Sequence, residues 1–526
     1  MSATAAPRAT RREWIGLAVI ALPCLLYAMD LTVLNLAVPQ LSADLKPSSS
    51  QLLWIIDIYG FMVAGFLITM GTLGDRIGRR RLLLTGAAAF GVASVLAAFS
   101  TSAEMLIAAR AVLGIAGATL APSTLSLIRS MFHDPHQRTV AIGVWVTSYS
   151  AGGAIGPVLG GVLLEYFWWG SVFLAGVPVM VLLLAVGPAL LPEYRDPNAG
   201  KLDLASAALS LGAVLATIYG LKRIAESGPG WLPALSIVAG IAIGIAFLRR
   251  QRTLADPMID LRLFRAPDFS AALATYMMGC FVLFGSFVFV AQYLQLVLGL
   301  SPLHAGLWTV PLALAFVAGS MLTPMIVRRV RPAILISCGL ALAAVGFALL
   351  TQMGAVSGLA HIVTATVMFS LGLAPVFTLA TDLVVGAAPP ERAGAASAIS
   401  ETSSEFGGAL GIAILGSIGT AVYRAAMSDA APGGVPPEAI DATRSTLGAA
   451  YAVAEQLPGP LGAALLDTAR QSFVHGLQVT AVVAAVMMIG TAILASATLR
   501  RAGGGERPDN EPRLPDDART GDSHER

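Results

Sequence analysis

A chain of 526 residues ordinarily divides into several soluble domains. Here 56% hydrophobic residues, only 12% charged residues and a mean hydropathy of +0.75 exclude that class, because soluble domains carry roughly a quarter charged residues. A net charge of +2 leaves no basic excess for a nucleic-acid groove. Composition therefore predicts an all-α polytopic membrane protein. The cysteines Cys24, Cys280 and Cys338 lie in apolar runs and fit neither a disulfide framework nor a zinc or CxxC pattern.

An apolar run of about 20 residues crosses the hydrocarbon core as a helix, which satisfies its own backbone there. Fourteen such spans are predicted, near 15–38, 51–73, 82–100, 104–126, 138–163, 170–191, 203–221, 231–248, 269–291, 303–326, 333–351, 358–386, 394–422 and 475–498. Arg8, Arg11 and Arg12 give the start of the chain the look of a signal peptide. The length of the first run, its Asp30 and the missing cleavage site mark it instead as a retained span.

The expected organisation is a cytoplasmic N-terminus (1–14), a six-helix bundle (15–191), two inserted helices with linkers (192–268) and a second six-helix bundle (269–501). The second bundle includes a long external loop at 425–474, and 502–526, almost free of apolar residues, reads as a disordered cytoplasmic tail.

Lys and Arg collect on the cytoplasmic side of a membrane. With the N-terminus inside, twenty basic residues fall in the N-terminal segment and the cytoplasmic loops and six in the external loops. One missed or invented helix would turn the later clusters outward, so the asymmetry supports an even count with both termini in the cytoplasm. Only Lys46, Lys201 and Lys222 among the 33 basic residues are lysine, a coding bias of GC-rich bacterial genomes.

The segment Gly71 to Arg81 between spans two and three is echoed by Gly319 to Arg331 between spans ten and eleven, and Gly152 to Gly161 in span five by Gly407, Gly408 and Gly411 in span thirteen. Such a parallel repeat is a transporter signature and places the binding site near mid-membrane between the halves. Gly71, Gly74 and Gly78 allow close packing and a tight helix exit, and Asp75 and Arg79 are spaced i,i+4 for an ion pair. A purely topological reading, in which Arg76, Arg79, Arg80 and Arg81 pin the loop inside, also accounts for these charges.

An arginine within a span is expensive and needs a partner. Counting about 1.5 Å per residue, Arg110 lies about 9 Å below the outer boundary, Asp57 about 9 Å and Asp30 about 12 Å. These three are expected to form one coupled cluster for proton binding, because one Arg cannot neutralise two Asp. Glu401 and Glu405 share a face of span thirteen, about 10 and 16 Å from the inner boundary. Both are candidates for substrate binding, with Glu401 wetted from the cytoplasm and Asp382 merely interfacial. Tyr59 and Tyr149 are the best aromatic candidates for a greasy cavity that accepts planar cations.

The glycines of span five form a packing surface, and Pro157 can bend that helix. With no nucleotide-binding motif and no HExxH, neither catalysis nor a cofactor is expected. Uphill transport would then draw on an ion gradient.

Jointly, Asp30 to Pro39, Gly71 to Arg81, Arg110 with Gly114 and Gly117, and Gly152 to Gly161 resemble the signature segments of the major facilitator superfamily, and within it the fourteen-span drug:proton antiporters. The resemblance covers residues 10–500 and is strongest to actinobacterial pumps for dyes, quaternary ammonium compounds and fluoroquinolones. It implies the major facilitator fold, with two six-helix bundles plus two inserted helices, and proton-coupled export of lipophilic, often cationic molecules from a bacterial plasma membrane. Membrane lipids are then the expected surroundings, with no nucleic acid and no obligate protein partner.

The resemblance further implies conformational-switch roles for Gly71, Gly74, Asp75, Arg76, Gly78 and Arg79, and for Gly152, Gly156, Pro157, Gly160 and Gly161, the latter sealing the cavity against leak. A dedicated exporter of an endogenous metabolite is the nearest alternative, and a non-transporting membrane sensor a more distant one.

Overall fold

The computed structural model describes residues 8–47, 49–195, 203–228, 230–254, 257–354, 358–430, 443–444 and 446–499. Among them every regular element is helical. The first half comprises α1 (Arg11–Leu45), α2 (Ser49–Ile77), α3 (Arg79–Ala98), α4 (Ala103–Met131), α5 (Pro135–Tyr166) and α6 (Ser171–Leu190, in two segments, Ser171–Leu174 and Val177–Leu190). Then come α7 (Leu204–Ser227) and α8 (Trp231–Thr253). The second half comprises α9 (Pro267–Gln292), α10 (Pro302–Ile326), α11 (Pro332–Leu350), α12 (Leu359–Ala387), α13 (Ala393–Ala430), the short α14 (Leu447–Ala454) and α15 (Gly459–Thr498).

Among the described residues thirteen helices are long and apolar enough to cross a membrane by themselves. The glycine-rich α5, 32 residues long, brings the number of long helices to fourteen. Their starts carry the expected chemistry. Ser102, Asp134 and Ser301 accept hydrogen bonds from the third residue beyond, and proline opens α5, α9, α10 and α11. Asp203 caps α7 and pairs with Arg250 of α8 through two hydrogen bonds of 2.7 and 3.1 Å. Arg250, with the Ser206 hydroxyl, holds the Asp203 carboxyl below the usual carboxylate range.

The segment expected to be the last external loop is more ordered than its turn-rich sequence suggests. Residues 425–430 continue α13, and residues 459–474 are the first turns of α15. Their Ala-rich sequence keeps a helical stripe of small and apolar residues, with Gly462, Leu465, Ala469 and Phe473 buried. Tyr451 of α14 donates to the Leu296 carbonyl at 2.6 Å, and Arg470 of α15 donates to the same carbonyl at 3.3 Å. Residues 431–442 and 445 of the segment expected to be a loop lie outside the described residues, as does the tail 502–526.

Packing repeats between the halves. In the first, α1 lies on α5, and α2 and α3 lie on α4. In the second, α9 lies on α13, and α10 and α11 on α12. The halves meet chiefly through α5 with α10 and α2 with α13, while α7 and α8 pack on each other and α7 rests against both α2 and α13.

Glycine makes the closest of these approaches. A Cβ on Gly152 would stand 2.1 Å from the Leu25 carbonyl oxygen, and one on Gly411, its counterpart, 2.0 Å from that of Phe281. Gly156 and Gly160 are buried on the same stripe as Gly152, and α5 runs as one helix through Pro157. Gly161 lies off that stripe: it is exposed, and a Cβ there would meet nothing within 4 Å.

This contrast is testable. Gly152→Ala should destabilise the protein by about 1–3 kcal/mol through overpacking, outweighing a gain of about 1 kcal/mol in helix propensity that Gly161→Ala receives without penalty. Thermal unfolding in detergent measures both, and equal melting temperatures would contradict the α1–α5 contact.

Candidate functional site

The site begins with a buried charge. Arg110 on α4 is 1% exposed and Asp30 on α1 is 8% exposed, and the guanidinium Nη1 lies 3.4 Å from Asp30 Oδ2. Its Nε and Nη2 donate to the carbonyls of Ile55 and Ile56 on α2, and its carbon lies 5.4 and 5.8 Å from the ring centres of Tyr59 and Phe173. The cation is thus neutralised, hydrogen-bonded and faced by two aromatic rings. Gly114 lets α2 come this near, since a Cβ there would stand 2.5 Å from the Tyr59 carbonyl oxygen.

Asp57 does not join this cluster. It pairs with Lys222, near the end of α7, whose ammonium lies 4.8 Å from the Phe61 ring centre. Depth placed Asp57 level with Arg110. On a helix, however, a residue two positions beyond Ile55 is turned by about 200°, so Asp57 faces α7 while Ile55 faces α4.

Three residues before Asp30, and so on a neighbouring face of α1, Tyr27 donates a hydrogen bond to Glu405 Oε1 on α13 at 3.1 Å. Its ring lies 6.0 Å from that of Tyr59 and 5.6 Å from that of Tyr149, which in turn meets Trp145 at 4.7 Å. Trp145 Nε1 donates to Thr124 at 3.0 Å. Tyr149 and Glu405 are half-buried.

One expectation changes here. Tyr59 is fully buried, lying under Arg110 rather than forming a wall of an open cavity, and its hydroxyl lacks a hydrogen-bond partner among the described residues. Glu401 is half-buried, and its Oε1 is buried without a hydrogen-bond partner among the described residues. Such an oxygen is a place for a proton or for a donor group of a ligand.

At the arginine-rich face, Asp75 and Arg79 form the expected i,i+4 pair at 3.0 Å. The pair also bridges the halves. Asp75 accepts from the backbone N–H groups of Gly394 and Ala395 at 3.0 and 2.9 Å, buried donors in the first turn of α13. Arg79, fully buried, donates to the Ser126 carbonyl, to Ser130 Oγ and to the Pro390 carbonyl. A Cβ on Gly71 would stand 2.5 Å from the Gly394 carbonyl oxygen, while Gly78 turns the chain with φ +112°, a conformation that favours glycine.

Gly74 is buried and Arg76 half-buried in the same final turns of α2. Arg80 turns to the α6 side, donating to the Pro188 and Leu191 carbonyls at 3.0 Å. Asp382 is more than interfacial: it receives Arg138 at 2.6 Å and Thr139 Oγ1 at 2.7 Å, a second bridge between the halves. Arg129 adds a third, donating to the Gly386 carbonyl at 3.1 Å.

Sequence reading missed Tyr27, Lys222 and the Arg138–Asp382 pair. The i,i+3 spacing of Tyr27 and Asp30 was the one available signal. Among the described residues no group of His, Cys, Asp and Glu is placed to hold a metal ion.

The profile of the Major Facilitator Superfamily matches residues 20–412. The chain is 43% identical over 494 residues to the multidrug efflux pump LfrA of Mycolicibacterium smegmatis, covering 94% of this chain and 98% of that one. It is 36% identical to the methyl viologen resistance protein SmvA of Salmonella typhimurium, over 88% of this chain and 93% of that one. It is 31% identical to a tetracenomycin C resistance and export protein of Streptomyces glaucescens, over 96% and 95%.

Among solved structures, the human organic anion transporter MFSD10 superposes with a TM-score of 0.59 at 15% identity, over 92% of this chain and 99% of that one. A bacterial homologue of the lysosomal transporter Spinster, in an inward-facing state, gives 0.56 at 20% identity, over 93% and 98%. Profile, relatives and fold agree with the repeated helix packing and the buried charges, and the chain belongs to the Major Facilitator Superfamily.

Proposed function

We propose that this protein is a proton-coupled multidrug efflux antiporter of a bacterial plasma membrane, with both termini in the cytoplasm. It exports lipophilic, often cationic compounds in exchange for protons. The observation that carries this reading is the continuous arrangement from Asp30 and Arg110, through Tyr59 and Tyr27, to Glu405 across the halves.

The arrangement couples a proton to a substrate through one helix. Asp30 exchanges protons beside Arg110, and Glu405 with Glu401 attracts the cation, while Tyr149, backed by the buried Trp145, offers an aromatic face. A cation at Glu405 competes with the Tyr27 hydroxyl for the carboxylate and so shifts α1, which also carries Asp30. Substrate breadth follows from few directional contacts and many apolar ones, in keeping with relatives named for multidrug efflux and for methyl viologen resistance.

The bridges at Asp75, Arg79, Arg129 and Arg138 join the halves on the face that the charge count assigns to the cytoplasm. This is the closed inner gate of an outward-facing state. Opening inward requires all of these bridges to break.

The decisive experiment is ethidium efflux driven by a pH gradient in everted vesicles or proteoliposomes. Asp30→Asn should abolish gradient-driven accumulation while leaving ethidium binding measurable, and wild-type rates would overturn the proton role. Glu405→Gln should separate ligands by charge. Electrostatic attraction scales with ligand charge, so a dication should lose about the square of the factor lost by a monocation. Equal losses would point to folding instead.

Asp75→Asn should leave membrane insertion intact, because Asp contributes little to orientation. It should also shift the two access states by about tenfold or more toward the inward one, the effect of losing one charge-assisted bond made in a single state. In a Cys338→Ser background, labelling of cysteines on the two ends of α5 reads the shift, and unchanged accessibility with normal transport would favour the topological reading of these charges.

A further inference from the structure

The inserted helices have no counterpart in the repeat, and α7 brings a cation to the seam between the halves. Val214 and Ile218 of α7, with Leu215 and Tyr219, pack against Phe61 and Ala64 of α2 and Phe406 of α13. Gly65 makes room for them, since a Cβ there would stand 2.6 Å from Leu211 Cδ1. One turn beyond Ile218, Lys222 pairs with Asp57 and lies 4.8 Å from the Phe61 ring centre, beside the cluster that holds Phe406, the neighbour of Glu405 in sequence. One ammonium, paired with a carboxylate of the first half, therefore stands on the helix that also packs against α13, which carries Glu405. The Lys222 side chain is 36% exposed and that of Asp57 22%, so a solvated ligand can approach the group.

We propose that Lys222 is a tethered cation that sets the charge selectivity of the Glu405 subsite, with Asp57 as the residue that holds it aside. This rests on the reading of Glu405 as the place where cationic substrates bind. Held by Asp57, the ammonium leaves Glu405 open to a ligand and repels that ligand in proportion to its charge. Released from Asp57, it swings on a flexible four-carbon stem to Glu405 and occupies the place of the substrate. Asp57 and Lys222 therefore act in opposite directions on cation binding, although they form one ion pair.

That opposition is the test. Binding of tetraphenylphosphonium, a monocation, and methyl viologen, a dication, is measured on the purified full-length protein and its variants, each checked for monodispersity. Lys222→Gln should tighten the monocation about threefold and the dication about tenfold, since the repulsion is linear in ligand charge and the factors therefore square. Asp57→Asn should weaken both in the same graded way, the double variant should follow Lys222→Gln, and Lys222→Arg should stay near wild type.

If Lys222→Gln and Asp57→Asn instead weaken both ligands by similar factors, the pair only fixes α7 and the proposal is overturned. Glu405→Gln distinguishes the underlying reading. Wild-type affinities in that variant would remove Glu405 as the subsite, whereas the opposite signs at positions 57 and 222 report on Lys222 separately.

Discussion

A guanidinium inside a bilayer has to be neutralised and hydrogen-bonded at the same time, and the first half of this protein is arranged to do both for Arg110. Asp30 supplies the charge, two α2 carbonyls accept from Nε and Nη2, and Tyr59 and Phe173 face the cation. Satisfying one side chain thereby fixes the relative positions of α1, α2 and α4. It also leaves Tyr27 facing the other half, because the helical period turns residue 27 to a face adjacent to that of residue 30. Any event that alters the charge on Asp30 disturbs all three helices.

Close approach elsewhere rests on the absence of side chains. Gly152 against Leu25 and Gly411 against Phe281 place the same contact in both halves. The repeat is thus expressed as geometry as well as in the sequence. Where the halves meet at the arginine-rich face, Gly71 serves the same purpose. It brings α2 near enough for Asp75 to reach the first N–H groups of α13. Small residues decide how near the backbones come, and charges decide in which arrangement they stay.

Much of this was legible from sequence because hydropathy and spacing report position along a helix axis. The spans, the depth match of Asp30 and Arg110 and the i,i+4 pair of Asp75 and Arg79 all depend on that coordinate. What was not legible depends on rotation about the axis and on long-range pairing. Asp57 was placed at the right depth and given the wrong partner. Lys222 looked like a loop charge because the apolar run ends near residue 221, whereas the helix continues to Ser227. Asp382 looked idle because its partner, Arg138, is 244 residues away. The external segment looked like a loop because turn residues stand out, although Ala-rich stretches on either side of them prolong α13 and begin α15.

Helix α13 is 38 residues long, about 57 Å at its ideal rise. Its first N–H groups are held by Asp75, and eleven residues later, about 16 Å along the same rod, Glu405 meets Tyr27. On the proposed function, the inner gate and the substrate carboxylate are two points on one lever. A small tilt about the glycine contact at Gly411 moves Glu405 a short way and Gly394 farther in the same sense. Displacement at Glu405 is thereby carried to the Asp75 bridge by leverage, with no chain of switching residues needed in between.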